Sequence, residues 1–169
     1  MRTVLLATVL AGLLLCATAR ADVFGQFTLV SEGLTELDGL EADYAGPVIS
    51  QPASFGFDMM IAELLINPAF TELDGTFEWL GANGNLFAFA EGFVTLDPEG
   101  GFASSSGSWT ITGGTGVFDG VTGTGTFAAL INIFTDETTV LVGGTLIPAP
   151  GAAALLMLAG LAGSRRRRR

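Results

Sequence analysis

The chain contains no histidine and no lysine, and its one cysteine, Cys16, lies in an apolar run near the amino end. Without histidine, Ser104-Ser105-Ser106 cannot belong to a Ser-His-Asp triad, and His-ligated zinc or haem is excluded. Without lysine there is no Schiff-base or other lysine-dependent covalent catalysis. A body free of cysteine forms no disulfide and holds no metal through thiolate.

Positive charge is the other shortage. All seven cations are arginines, and they stand only near the two ends: Arg2, Arg20, Arg165, Arg166, Arg167, Arg168 and Arg169. Residues 22–147 therefore carry all seventeen carboxylates and no cationic side chain. Such a body makes no internal ion pair, and it repels nucleic-acid phosphates and anionic membranes. Nucleic acid is not an expected partner. Its charge suits solubility, or the bridging of carboxylates by calcium, a hard cation that takes oxygen ligands.

The two ends are addresses rather than fold. Arg2, the apolar stretch 4–17 and Ala19-Arg20-Ala21 make up a secretory signal with an A-x-A cleavage site, so signal peptidase is an expected partner. Cys16 follows Leu13-Leu14-Leu15 rather than small residues, so it does not mark a lipid anchor. At the other end, 148–169 has three parts: a hinge with Pro148, Pro150 and Gly151, an apolar run 152–163, and the arginines. As a helix that run reaches only about 18 Å against a hydrocarbon core of about 30 Å, which makes a poor permanent span. An arginine cluster behind it stays on the cytoplasmic side.

This tripartite ending resembles the PEP-CTERM class of bacterial C-terminal sorting signals, with Pro148-Ala149-Pro150 where the class name has Pro-Glu-Pro. The resemblance implies an exosortase-type sorting enzyme as partner and an inner-membrane intermediate. The final location would then be the cell surface or the exterior. The alternative is a plain membrane anchor with a stop-transfer arginine patch. Three segments follow: a signal peptide (1–21), an exported acidic β-domain (22–147) and a C-terminal sorting or anchor signal (148–169).

The body is rich in glycine, threonine, phenylalanine and valine, and it alternates with a period of two. Trp109 and Ile111 share a face, as do Phe77 and Trp79, and Phe87, Phe89 and Phe93. In 54–63 the same pattern places Phe55, Phe57, Met59 and Ile61 together, which argues for strand over helix there. The stretch 125–134 is apolar on both faces apart from Asn132 and predicts a strand covered on both sides. Turn signals recur at Asn67-Pro68, Asp74-Gly75, Asn83-Gly84, 97–101 and Asp136-Glu137. The fold class is all-β: an antiparallel barrel or sandwich of about seven or eight strands, flanked by the signal peptide and a short C-terminal apolar helix. The repeat of Thr35-Glu36-Leu37-Asp38-Gly39 as Thr71-Glu72-Leu73-Asp74-Gly75 reads as two similar turns leading into strands.

In 112–127, TGGTGVFDGVTGTGTF, the glycines permit a tight return and Phe118 is placed to plug one end of the fold. No lysine follows and no βαβ context surrounds them, so they are not a phosphate loop. The string resembles a glycine-rich hairpin of the dirigent and allene oxide cyclase-like barrel proteins. That resemblance implies an eight-stranded antiparallel barrel with a hydrophobic cavity, and it carries no catalytic residues across.

The densest acids are Glu32, Glu36, Asp38, Glu41 and Asp43, followed by Tyr44. Glu36, Asp38, Glu41 and Asp43 are the candidate calcium ligands, although their spacing is not that of an EF-hand. Otherwise the segment is a solvated acidic loop. No pair of carboxylates stands out for glycoside hydrolysis. The expectation is a non-enzymatic protein of the cell envelope or extracellular matrix with a structural or adhesive role, with extracellular polysaccharide among its partners. Two alternatives remain: a small-ligand-binding or cyclase-like barrel, and a carbohydrate-binding module using Trp79, Trp109 or Tyr44, although alternation groups both tryptophans with core residues.

Overall fold

The computed structural model describes residues 25–149; the expected signal peptide with Ala19 and Ala21, and the expected C-terminal apolar helix with Pro150, Gly151 and the five terminal arginines, lie outside them. Eight antiparallel strands close into one barrel: β1 (Gly25–Asp38), β2 (Glu41–Ser50), β3 (Phe57–Ile66), β4 (Glu72–Gly81), β5 (Leu86–Asp97), β6 (Phe102–Gly114), β7 (Thr122–Asn132) and β8 (Glu137–Ile147). Each strand pairs with the next in sequence, and β8 returns to β1. Closure leaves no free sheet edge.

Alternation fills this barrel from within. Trp79 and Trp109, each about 1% exposed, lie on neighbouring parts of a continuous chain of rings. It begins at Phe118, which stacks on Phe57 with centroids 4.9 Å apart, and runs through Phe55 and Phe27 to Trp109. From there it continues through Trp79 and Phe77 to Phe127. The edge-to-face geometry of most of these contacts suits the ring quadrupoles. Where the 112–127 resemblance implies a cavity, these rings occupy the interior.

Packing two indoles into an eight-stranded barrel requires backbone to come close to them. A Cβ on Gly125 or Gly144 would strike the Trp109 ring and also the facing strand. The Trp109 indole N–H donates to the Thr126 carbonyl (3.2 Å). Phe118 itself sits on a single 3₁₀ turn, Gly116–Phe118, whose Gly116 has φ of 62° and packs against Asn83 and Gly84. The sequence reading of Phe118 as an end plug holds.

Four expectations need correction. The register shifts between Phe57 and Met59, so one residue is added to the pleat. Every side chain after it changes face: Phe55 and Phe57 point inward, but then Met60 and Ala62 are buried and Met59 is exposed. Asp74-Gly75 is no turn but lies within β4, where Gly75 backs against Glu63 and Leu64 of β3. The echoed pentapeptide accordingly serves two purposes, ending β1 at Thr35–Gly39 and opening β4 at Thr71–Gly75. Finally, β7 buries only its inner face, and Leu130 on the outer face is 52% exposed.

Four hairpins (39–40, 67–71, 98–101 and 133–136) lie at one end of the barrel. The other three connections and both ends of the described chain lie at the opposite end, with Pro148 directly after β8.

Candidate functional site

The acidic segment 32–43 is not a loop. It forms the β1–β2 hairpin, whose register sets Glu36 opposite Asp43 and Asp38 opposite Glu41. Asp43 also faces Glu63 on β3. Alternation turns all four candidate calcium ligands to solvent, side by side along the outer ladder. Among the described residues no three carboxylates gather as a metal-ligand group. The structure brings Glu36, Asp38, Glu41 and Asp43 together as a repelling row, because like charges directly opposite each other weaken a strand pair.

The residues proposed for sugar stacking are inside. Trp79, Trp109 and Tyr44 are all buried. Tyr44 belongs to a small polar cluster: its hydroxyl and that of Ser31 lie 2.5 Å apart, and Ser31 Oγ donates to the Pro47 carbonyl (2.9 Å). Burial pushes the Tyr44 phenol above its ordinary value, and the nearby Glu32 charge adds to this against the opposing Ser31 hydrogen bond. Thr35 and Thr138 pair their hydroxyls at 2.7 Å across β1 and β8. Ser31 and Tyr44 thus satisfy one another, and so do Thr35 and Thr138. The Trp79 indole N–H has no partner among the described residues.

What the barrel offers is its outside, and that is sharply divided. Carboxylates stand along the outer faces of β1 to β5, including Glu63, Asp74 and Glu91 at mid-strand. An apolar lumen with charged outer mid-strand positions is the reverse of a lipid-facing barrel. β6 and β7 carry no carboxylate, and β8 has only Glu137 at its first position. Their other outward residues are mainly serines, threonines and the apolar Phe102, Ala128, Leu130, Leu141 and Ile147. The boundary between the two regions is marked by Phe89 and Phe93 on β5, 43% and 65% exposed.

At that boundary a groove of about 730 Å³ crosses the strands, lined by Leu65, Asp74, Glu91, Phe93, Ser108 and Thr126 among others. Register explains it, since Leu65, Asp74, Glu91, Ser108 and Thr126 are successive partners along one row. It presents acceptors, hydroxyls and one ring, so it suits hydroxyl-bearing or cationic groups. The alternation of β5 signals Phe93, but nothing in the linear pattern says that its phenylalanine face is the outer one.

The hairpin end is also apolar at its rim. Leu37, Phe70, Leu96, Phe102 and Phe134 are exposed there, Phe134 most of all at 75%. No described helix is long and apolar enough to cross a membrane. Pro148, which directly follows β8, leaves the barrel at the end away from this rim. No protein-family model, no curated protein and no solved structure matches the chain.

Proposed function

We propose that this protein is an exported, C-terminally sorted component of the cell envelope or extracellular matrix. Its role is structural or adhesive rather than catalytic. The observation that carries the reading is the division of labour between inside and outside. The lumen is taken up by the ring chain from Phe118 to Phe127, and the charge, hydroxyls and exposed apolar groups are on the surface. The body has no histidine, lysine or cysteine with which to build a nucleophile or base. Its outer surface is therefore the working part. The hinge at Pro148 departs from the end opposite the four hairpins, so a chain handled by its tail projects those hairpins outward.

The test is the intact mass of the native protein recovered from producing cells and their medium. Loss of both ends, leaving a chain that starts near Asp22 and stops in 148–151, supports sorting and release. A mass that retains Arg165–Arg169 overturns the sorting step in favour of a simple anchor, and retention of 1–21 overturns export. A second reading, extracellular polysaccharide as the adhesive target, draws on the groove, where Phe93 lies beside Asp74, Glu91 and Ser108. It is checked by retardation on neutral polysaccharide gels, which Phe93→Ala should abolish.

A further inference from the structure

We infer that the acid-free outer face of β6, β7 and β8 is the surface through which two copies of this barrel associate. Between residues 22 and 147 a second copy brings no cation, so a carboxylate on one body finds no ionic partner on the other. Contact across β1 to β5 would press Glu36, Asp43, Glu63, Asp74 and Glu91 against their counterparts. Like charges brought together at an interface are strongly disfavoured. Among the described strand faces, the sector from β6 to β8 with the adjoining start of β1 is the one that two copies can bring together, like on like, without that penalty.

The same sector carries an apolar band. The register sets Phe93 opposite Ser106, Ser106 opposite Ala128, Ala128 opposite Leu141, and Leu141 opposite Val30. Leu130 and Leu141 are 52% and 46% exposed, and no described segment covers them. Beside this band run two uncharged rows: first Ser108, Thr126, Gly143 and Thr28, then the hydroxyls of Thr110, Thr124 and Thr145, which end at Gln26. Apolar centre and uncharged hydrogen-bonding flank are the anatomy of a protein–protein contact. A two-fold axis through the band would match each side to itself.

Size fixes the strength. Four strands about 4.8 Å apart, over about eight residues of strand, offer at most about 500 Å² per copy. The total of about 1,000 Å² is at the low end for specific contacts, so association is weak and reversible. Such contacts matter where copies are concentrated, as in the matrix or surface layer proposed above. Retained terminal arginines would offer the acidic strands an ionic partner, so the inference rests on the processed body proposed above.

The experiment is sedimentation velocity of the mature protein from about 10 μM to about 1 mM. It is run at about 0.05 M and about 0.5 M salt, because screening relieves the residual repulsion between acidic bodies. The expected result is a rise toward dimer mass with concentration, steeper at high salt. Ala128→Glu and Leu141→Glu should each weaken the dimer at least tenfold while keeping the tryptophan emission of the parent. Thr76→Glu adds the same charge to the acid-bearing side and should shift the dissociation constant less than twofold. A monomer under every condition overturns the inference, as does an equal loss from Thr76→Glu. Retardation on a neutral polysaccharide that Ala128→Glu abolishes, with no self-association, would assign the face to glycan instead. Because processing is read by mass and association by sedimentation, failure of the one is told apart from failure of the other.

Discussion

Replacing Phe118 with alanine tests whether the end plug belongs to the cooperative core. The ring is fully buried, stacks on Phe57 at 4.9 Å and meets Phe55 edge-on at 6.0 Å. Its turn is fastened to the β4–β5 connection, where the Val117 N–H donates to the Asn83 carbonyl (2.9 Å). That connection gives little room for collapse into the void. A phenylalanine removed from such a site costs about 3–5 kcal/mol. With a urea slope of about 2 kcal/mol per molar, the midpoint should fall by about 2 M. Trp79 and Trp109, both buried, report the transition as a red shift of emission. Asp119→Ala, at the exposed neighbour, should move the midpoint by about 0.2 M at most, since surface changes cost within about 0.5 kcal/mol. A fall below about 0.5 M for Phe118→Ala would refute the reasoning. If amide exchange in 115–121 quickened while the midpoint held, the plug would be a separable local unit.

Three further outcomes follow from the same packing. Gly144→Ala places a Cβ against the Trp109 ring and the Thr124 carbonyl, and should destabilise by about 1–3 kcal/mol in the same urea assay. The raised phenol of Tyr44 means the folded state holds its proton more tightly than the unfolded chain. Its contribution is thus complete below pH about 10 and is lost as pH climbs toward the folded value; Tyr44→Phe should flatten that alkaline decline in a pH series of melting temperatures. Asp43→Asn removes one charge facing both Glu36 and Glu63 and should stabilise by about 0.2–1 kcal/mol at low salt. That gain should shrink as salt is raised.

Strand content was legible wherever interior positions are large and apolar, as at Phe77-Glu78-Trp79 and Trp109-Thr110-Ile111. It was hidden in β1 and β2, where Ser31 and Thr35 face inward, the one bonded to Tyr44 and the other to Thr138. Phase was lost at Asp58, because a bulge is a register event between two strands and leaves no period in either. The phenylalanines of β5 alternate correctly, yet they face out. The interior opposite them is already filled by Trp79 and Trp109, leaving room only for Ala88 and Ala90 on the inner face. Likewise, the scarcity of acid between residues 102 and 147 is visible in the sequence. That it makes one continuous side of the surface depends on β6, β7 and β8 being neighbours, which closure of the barrel decides.

Closure also orders the making of this protein. Seven of the eight strand pairings join consecutive strands and can zip as local hairpins, the inexpensive contacts in loop entropy. The eighth joins β1 to β8, with Thr35 and Thr138 hydrogen-bonded across 103 residues of chain. Until β8 arrives, β1 presents a bare edge from Gly25 to Leu34. β8 is also the strand that runs straight into Pro148. In a chain threaded across a membrane from its amino end, the strand that seals the barrel therefore emerges last, next to the segment that would detain it. In such a chain the seam of the barrel is a clock: folding would finish only when translocation had almost done so.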